Sequence, residues 1–558
     1  MIGLLAGVAV AFADSSIVVL ALPDLLRRFD VSIPAVAWTI TAYNLVLAVS
    51  ALVLVRAARR LDAGRLAWSG SLLFLIASVA CGLAWGLWPL VAFRSGQGLG
   101  AALLLVGSLP LLRACATTPA RGTALWAGAG VFGAALGPAA GGLLTQLLSW
   151  HAIFFAQAPI AALAFAAARL VHVSTTGETS EEDAGAASRP VRLAANAGLA
   201  LTSAALVGVL FLAVVLLVDV WRLSPLEAAA VVSAIPIATL GAQQLATRLG
   251  SSATVVGAVL LSGGLGGMAF LPTRSVAWVA VSLSISGVGL GLLVPGLTGI
   301  ALTGHRLSAA GGAATIWVRH AGLVVGLLVL TPVLSGDLGR AGDKAKLEGI
   351  ATVLDAPAKA ATKLQLAVDL APALSRPTSQ GLPDFADELE PDHDPARTAI
   401  GHELDSVVQA TVTRGFRRSF VVATLIALLA VLPAFALPAS RANPRRALRA
   451  AAAASLAAVA LIGAELARGS LSFGEKPRLL GPCEDRPSPR AGADGVGQRS
   501  VLAALDEIAC RLHRPREQVV ADLATTGVSG ARLVDQLERY AKRGLDLPGL
   551  LRGLFKSS

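Results

Sequence analysis

The sequence predicts an all-α integral membrane protein: two six-helix bundles, one extra C-terminal transmembrane helix and an extracytoplasmic helical tail. Three observations carry that expectation. Of 558 residues, 55% are hydrophobic and only 15% charged, with a mean hydropathy of +0.70. An ordinary soluble domain carries about 25% charged residues, so lipid must solvate much of this chain. The apolar residues also come in blocks of roughly 20, the length that crosses a bilayer core. Finally, the arginines concentrate in alternate loops between those blocks.

Six blocks, 2–22, 35–55, 66–86, 88–112, 123–147 and 152–171, make a first bundle over 1–171. The chain opens directly on the first block, which continues into a patterned loop and so reads as a spanning helix rather than a cleaved leader. The polar stretch 172–193, with Glu181, Glu182 and Asp183, reads as a cytoplasmic linker. A second bundle over 194–437 uses 194–218, 227–246, 252–272, 276–302, 313–334 and 419–437. An alanine-rich thirteenth block runs over 448–466.

Two polar regions remain. The loop 335–418 has helical spacing at Leu347, Ile350 and Leu354 and again at Leu364, Leu366, Val368 and Leu370, around a loop from Pro383 to Pro395. The tail, 469–558, shows two or three short helices between Val501 and Ala541, with Pro515 suited to a first turn and Ser529 to an N-cap.

With the N-terminus cytoplasmic, the inside loops hold Arg56, Arg59, Arg60, Arg65, Arg113, Arg121, Arg169, Arg189, Arg192, Arg248, Arg306, Arg441, Arg445, Arg446 and Arg449. The short outside loops hold only Arg27, Arg28, Arg222 and Arg274. This bias fits the positive-inside rule and fixes the expected orientation. It places 335–418 and the tail outside the cell membrane. The net charge of +11 therefore reads as membrane topology, and no nucleic-acid partner is expected. The two cysteines of the tail, Cys483 and Cys510, face an oxidising compartment, where either a disulfide or two free thiols could stand. The bridge is the expectation, and closing that loop would stabilise the tail by roughly 3–4 kcal/mol.

No metal-ligand spacing, phosphate-binding loop, Ser/His/Asp set or His-Glu-x-x-His stands in the chain, so neither an enzyme nor a cofactor is expected. Charged groups within spans cost about 2.5–3.5 kcal/mol at a helix centre and need a reason. Asp14 is the only acid well inside the first-bundle spans, and Arg94 the only comparable base. A static ion pair, or a side chain snorkelling from a helix end, would account for them as well as a working site would. Gln146, Gln157 and Asn196 read as ordinary cross-helix hydrogen-bonding groups. Gly287, Gly289 and Gly291, spaced within a helix, read as a packing face.

The run Gly133-Ala-Ala-Leu-Gly137-Pro138-Ala-Ala-Gly141-Gly142 places small residues at four-residue spacing, which lets a neighbouring helix approach to backbone contact. Followed by Trp150-His-Ala-Ile-Phe-Phe-Ala-Gln-Ala-Pro159, it resembles the antiporter signature of the major facilitator superfamily, and more closely its drug:proton antiporter group, whose members often have fourteen helices. Asp14-Ser-Ser-Ile-Val-Val-Leu-Ala-Leu-Pro23, Trp38-Thr-Ile-Thr-Ala-Tyr43 and Arg94-Ser-Gly-Gln97-Gly98-Leu-Gly100 are similar to that group's first-, second- and fourth-helix motifs. The resemblance covers about 1–335 plus the twelfth helix, and the two extra central helices of the fourteen-helix members are absent.

What the resemblance implies is a major facilitator fold whose halves rock around a central site. Asp14 and Arg94 would face that central cavity, Asp14 exchanging a proton and Arg94 setting its affinity for it. Tyr43, Asn44, Gln97 and Arg319, the last beside His320, would be further cavity candidates. The loop after the second helix, with Arg60, Asp62, Gly64 and Arg65, and its second-half counterpart with Arg248 and Gly250, would gate opening. There Leu61 takes the place where the family carries an acid. The function implied is proton-gradient-driven efflux of amphiphilic or cationic small molecules across the plasma membrane. Export of a lipid or envelope precursor is the alternative. A third reading is a non-transporting scaffold whose tail binds an envelope protein.

Overall fold

The computed structural model describes all residues except 58–59, 172–186, 272–273, 303–307, 357, 375–381, 390–394, 438–443, 468–478, 485–492, 526–528 and 544–558. The linker through residue 186 thus lies outside the described residues, as do Arg59, Arg306 and Arg441. Among the described residues the chain is helical, with no strand, and twelve helices are long and apolar enough to cross a membrane.

The first bundle comprises α1 (Ile2–Ile17), α2 (Leu22–Phe29), α3 (Ile33–Ala57), α4 (Ala63–Gly82), α5 (Leu87–Cys115), α6 (Pro119–Leu147) and α7 (Trp150–Leu170). A 3₁₀ turn, Val18–Ala21, joins α1 to α2, so the first span runs on to Phe29, seven residues past the expected end. Pro23 sits at the start of α2, where its missing N–H costs nothing. Arg27 and Arg28, expected in a loop, occupy the last turn of α2 instead. Local chemistry sets several starts. Asp62 accepts from Arg65 N at 2.7 Å to cap α4, and Thr118 caps α6 through Arg121 N ahead of Pro119.

The second bundle comprises α8 (Arg189–Val214), α9 (Pro225–Val232), α10 (Ala234–Leu249), α11 (Ala253–Ala269), α12 (Val276–Leu302), α13 (Ser308–Asp355), and, after residues 356–415, α17 (Arg417–Leu429) with α18 (Val431–Ala436). A π-helical turn, Val215–Val220, extends α8. Ser224 and Glu227 form a reciprocal capping box at α9. The eleventh span does not stop near 334, because α13 continues unbroken to Asp355. The alanine-rich block forms α19 (Pro444–Ala467), packed against α11, and stands outside the twelve.

The chain divides into two compact units. One holds both bundles, from 1–271, 275–335 and 416–470. The other joins 336–415 to 471–558, two regions that the sequence presents as separate additions. In this second unit, the end of α13 is accompanied by α14 (Ala360–Leu374), α15 (Phe385–Leu389), α16 (Pro395–Gly415), α20 (Ala493–Arg511), α21 (Arg516–Thr525) and α22 (Gly530–Arg543). Leu364, Val368, Leu404, Leu505, Val520 and Leu533 are all buried. Cys483 and Cys510 are joined by a disulfide. Arg516, 4% exposed at its side chain, pairs with Asp355, Glu517 and Asp506.

Candidate functional site: a buried ion pair and a cavity between the bundles

The signature glycines position α1. A methyl group at Gly133 would fall 1.9 Å from the Ala9 carbonyl oxygen, one at Gly137 2.3 Å from Ser16 Oγ, and one at Gly141 2.1 Å from the Ile17 oxygen. Only hydrogen fits there, so α6 lies against the α1 backbone at four-residue intervals. Gly142 turns the other way, toward Pro225 and Ala229 of the second bundle. The second bundle repeats the device: Gly322 and Gly326 of α13 lie against the Ala200 and Ala204 carbonyls of α8. Gly287 and Gly291 face α10 and Gly289 faces α11, which is the packing face expected of them.

On the other side of α1, Asp14 enters a closed polar network. One carboxylate oxygen accepts from Arg94 Nη1, and the other from Gln157 Nε2 at 2.7 Å. Arg94 also donates to Gln97 Oε1 (2.9 Å), the Thr39 carbonyl (2.9 Å) and the Asp14 carbonyl (3.1 Å). Gln97 Nε2 donates to Ser78 Oγ and Gln157 Oε1, and the Cys81 thiol donates to Gln97 Oε1. The Tyr43 ring lies 4.4 Å from the Arg94 guanidinium, and its hydroxyl donates to the Ala11 carbonyl at 2.6 Å. Five helices, α1, α3, α4, α5 and α7, contribute. Such saturation is what a buried charge pair needs to survive desolvation.

Asp14 is near the middle of the Ile2–Phe29 span, which rules out snorkelling from a helix end. Gln157, expected to be a bystander, is a direct partner of Asp14. Its place inside the run after Trp150 was the available signal.

A cavity of about 110 Å³ lies between the bundles. Residues of α1, the 3₁₀ turn after it and α6, among them Phe12, Ser15, Ser16 and Pro138, form one wall; the rest comes from α8, α10, α12 and α13, including Arg319 and His320. Of the cavity candidates only Arg319 lines it. Asp14, Arg94, Tyr43, Asn44 and Gln97 do not, correcting the expectation that the charged pair faces it. The reason is helical geometry: Asp14 falls on the opposite side of α1 from Phe12, Ser15 and Ser16 and points into its own bundle. Asn44 reaches across instead, its Oδ1 2.7 Å from His320 Nδ1.

A second charged contact was not anticipated. Arg27, closing α2, reaches Asp219 in the π turn of the second bundle at 3.4 Å. Asp219 lies one residue beyond the expected end of the seventh span and so read as loop. In the gating loops, Arg60 and Arg65 are exposed, Asp62 serves as a helix cap, and Gly64 packs over it. Arg248 is exposed, and Gly250, at φ +52°, ends α10. A glycine there relieves the strain of a left-handed residue. Among the described residues no cluster of His, Cys, Asp and Glu could hold a metal.

Two bundles with repeated glycine seams, enclosing a cavity, define a multi-pass membrane transporter. The family model for the Major Facilitator Superfamily matches residues 4–327, and the chain belongs to that superfamily. It is 38% identical over 163 residues to the multidrug resistance protein Stp of Mycobacterium tuberculosis, covering 28% of this chain and 30% of Stp. It is 33% identical over 183 residues to the methylenomycin A resistance protein of Bacillus subtilis, covering 32% of this chain and 39% of that one. These alignments span only about a third of the relatives' length. A solved bacterial homolog of the human lysosomal transporter Spinster shares the fold, with a TM-score of 0.56 at 16% identity, covering 80% of this chain and 97% of the other.

Proposed function

We propose that this transporter exports amphiphilic small molecules by alternating access, driven by proton entry, with Asp14 as the proton-exchanging group. The observation that carries the reading is the Asp14–Arg94 pair: a carboxylate on α1 and a guanidinium on α5, both 0% exposed, with the opposite side of α1 lining the cavity. A proton arriving at Asp14 would cancel its charge, release Arg94 and reposition α1, which the glycine seam ties to α6. Resistance proteins among the relatives support efflux as the direction. A mostly apolar cavity suits a substrate that partitions from lipid.

Adding substrate to everted vesicles should release protons from the vesicle interior, and Asp14→Asn should abolish that release while expression is kept. Full activity in Asp14→Asn would overturn the role.

The proposed topology places the N-terminus in the cytoplasm of a cell bounded by its plasma membrane, with the second unit outside. One physical argument supports a thirteenth crossing. Residues 336–415 and 471–558 fold into one unit and must lie on one side of the bilayer. The span formed by α17 and α18 separates them, so a second crossing, by α19, is needed to bring the chain back. That unit also keeps the scaffold reading in play, with an envelope protein as partner. Deleting 469–558 separates the two, since export should survive and a scaffold's function should not.

A further inference from the structure

Arg319 stands on the cavity wall without a counter-charge among the described residues. Among the described residues its guanidinium forms no ion pair or hydrogen bond; its near neighbour is the Phe12 ring, 4.8 Å away. A half-buried cation with no partner on the protein is costly, and proteins normally supply an anion or hydrogen-bond acceptors. Arg94 shows the contrast, since every partner it needs comes from the protein.

Two further polar atoms of the cavity lining are unmatched among the described residues. His320 is 1% exposed and stacks 6.0 Å from the Phe12 ring. Asn44 Nδ2 donates to the Ile40 carbonyl, which turns Asn44 Oδ1 toward His320 and assigns the imidazole proton to Nδ1. Nε2 is then an acceptor, and it has no partner. Ser15, one turn along α1 from Phe12, also lines the cavity, and its hydroxyl is buried and unpartnered. Arg319, His320 and Ser15 thus surround Phe12 with a fixed cation, an acceptor and a hydroxyl. Val19, Leu206 and Val294 leave much of the remaining wall apolar.

We infer that this end of the cavity is an acid-binding pole, and that the transported molecule is an apolar, ring-bearing compound with a single acidic group. The carboxylate pairs with Arg319 and accepts from Ser15, a neighbouring hydroxyl on the ligand meets His320 Nε2, and the apolar body lies along the opposite wall. A cationic substrate would meet Arg319 as a like charge, so this assignment narrows the substrate class to anionic amphiphiles. It rests on the transporter reading but makes its own claim.

The test is equilibrium binding to the purified full chain in lipid nanodiscs, without any gradient and with empty nanodiscs subtracted. Two probes of matched shape are compared, 4-phenylbutyrate and 4-phenylbutylammonium. The carboxylate should bind saturably and the ammonium at least about tenfold more weakly, the difference expected of a charge-assisted hydrogen bond. Arg319→Gln should erase the preference and Arg319→Lys should retain part of it. Equal or tighter binding of the ammonium, no saturable binding of either probe, or an unchanged preference in Arg319→Gln would overturn the assignment. If Arg319→Gln does not fold, the wild-type comparison alone decides. The probe comparison in the wild-type chain needs no gradient and tests the acid-binding pole alone, whereas loss of proton release in Asp14→Asn tests the proton-exchanging group alone, so the two proposals fail separately.

Discussion

Arg27 and Asp219, 192 positions apart, meet at 3.4 Å where the first span of one bundle ends beside the π turn of the other. Asp219 is 2% exposed at its side chain and Arg27 46%, so the pair straddles the boundary between protein and surroundings. Asp219 Oδ2 has no hydrogen-bond partner. A contact of this kind ties the bundles together at one end and must break for them to part there.

Replacing Asp219 with Asn should weaken that tie by about 1 kcal/mol, the upper range for a partly exposed pair. In a Cys115→Ser background, a cysteine at Ser203 on the cavity wall should then react roughly fivefold faster with a membrane-impermeant maleimide applied from the Arg27 side. An unchanged rate would show that the pair does not hold that end shut.

The Asp14–Arg94 pair predicts a non-additive pair of mutants. Removing one charge leaves the other buried and uncompensated, at a cost of about 3–5 kcal/mol. Asp14→Asn and Arg94→Gln should each lower the thermal midpoint in detergent. The double variant should recover much of that stability, because the remaining amides can still hydrogen-bond, yet regain no transport. Additive losses would mean that the two side chains are energetically independent.

The α1–α6 seam predicts a sharp positional effect. Gly133→Ala introduces a methyl 1.9 Å from a carbonyl oxygen, whereas a methyl at Gly128 meets nothing within 4 Å. Overpacking of this sort costs about 1–3 kcal/mol. Thermal unfolding should therefore drop for Gly133→Ala and stay level, or rise slightly, for Gly128→Ala. Equal midpoints would mean that the helices have room to separate.

In the second unit, Arg516 is the hub of three carboxylates. Burial disfavours its charge, but Asp355, its hydrogen bond, and Glu517 and Asp506 more than offset this and hold its pKa above the usual arginine value. The stabilisation from a raised pKa is fully present below the unfolded value and lost only above the folded one. Raising the pH from neutral into the mildly alkaline range should therefore leave the unit's resistance to proteolysis flat. Arg516→Ala should make the tail protease-sensitive by removing the one guanidinium that Asp355, Glu517 and Asp506 share, while efflux persists.

Hydropathy and arginine placement made most spans legible, because lipid imposes a length and a charge bias that any reader of the sequence can apply. The breaks came where that signal fades. Polar residues such as Asp343 and Lys344 end the apolar block of α13 but not its helix, since soluble helices need no apolar run. Arg27 and Arg28 likewise looked like loop because they are charged, yet a helix end tolerates them. At the site, Asp14 and Arg94 stood out by their cost in lipid. Their partners Gln157, Ser78 and Thr39 did not, because a neutral polar side chain in a span has many ordinary uses. Which face of α1 carries the acid depends on how the helix is rotated against α6, a tertiary fact that one helix's sequence does not contain. The union of 336–415 with the tail was hidden by the span and the alanine-rich helix between them.

Helices that touch through glycine have no compressible layer of side chains between them. α1 and α6, and likewise α8 and α13, therefore behave as riveted pairs: each can pivot as one stiff strut, but neither partner can slip along the other by less than a full helical notch. Motion in this protein then falls to the joints between struts, at the cavity and at the Arg27 end.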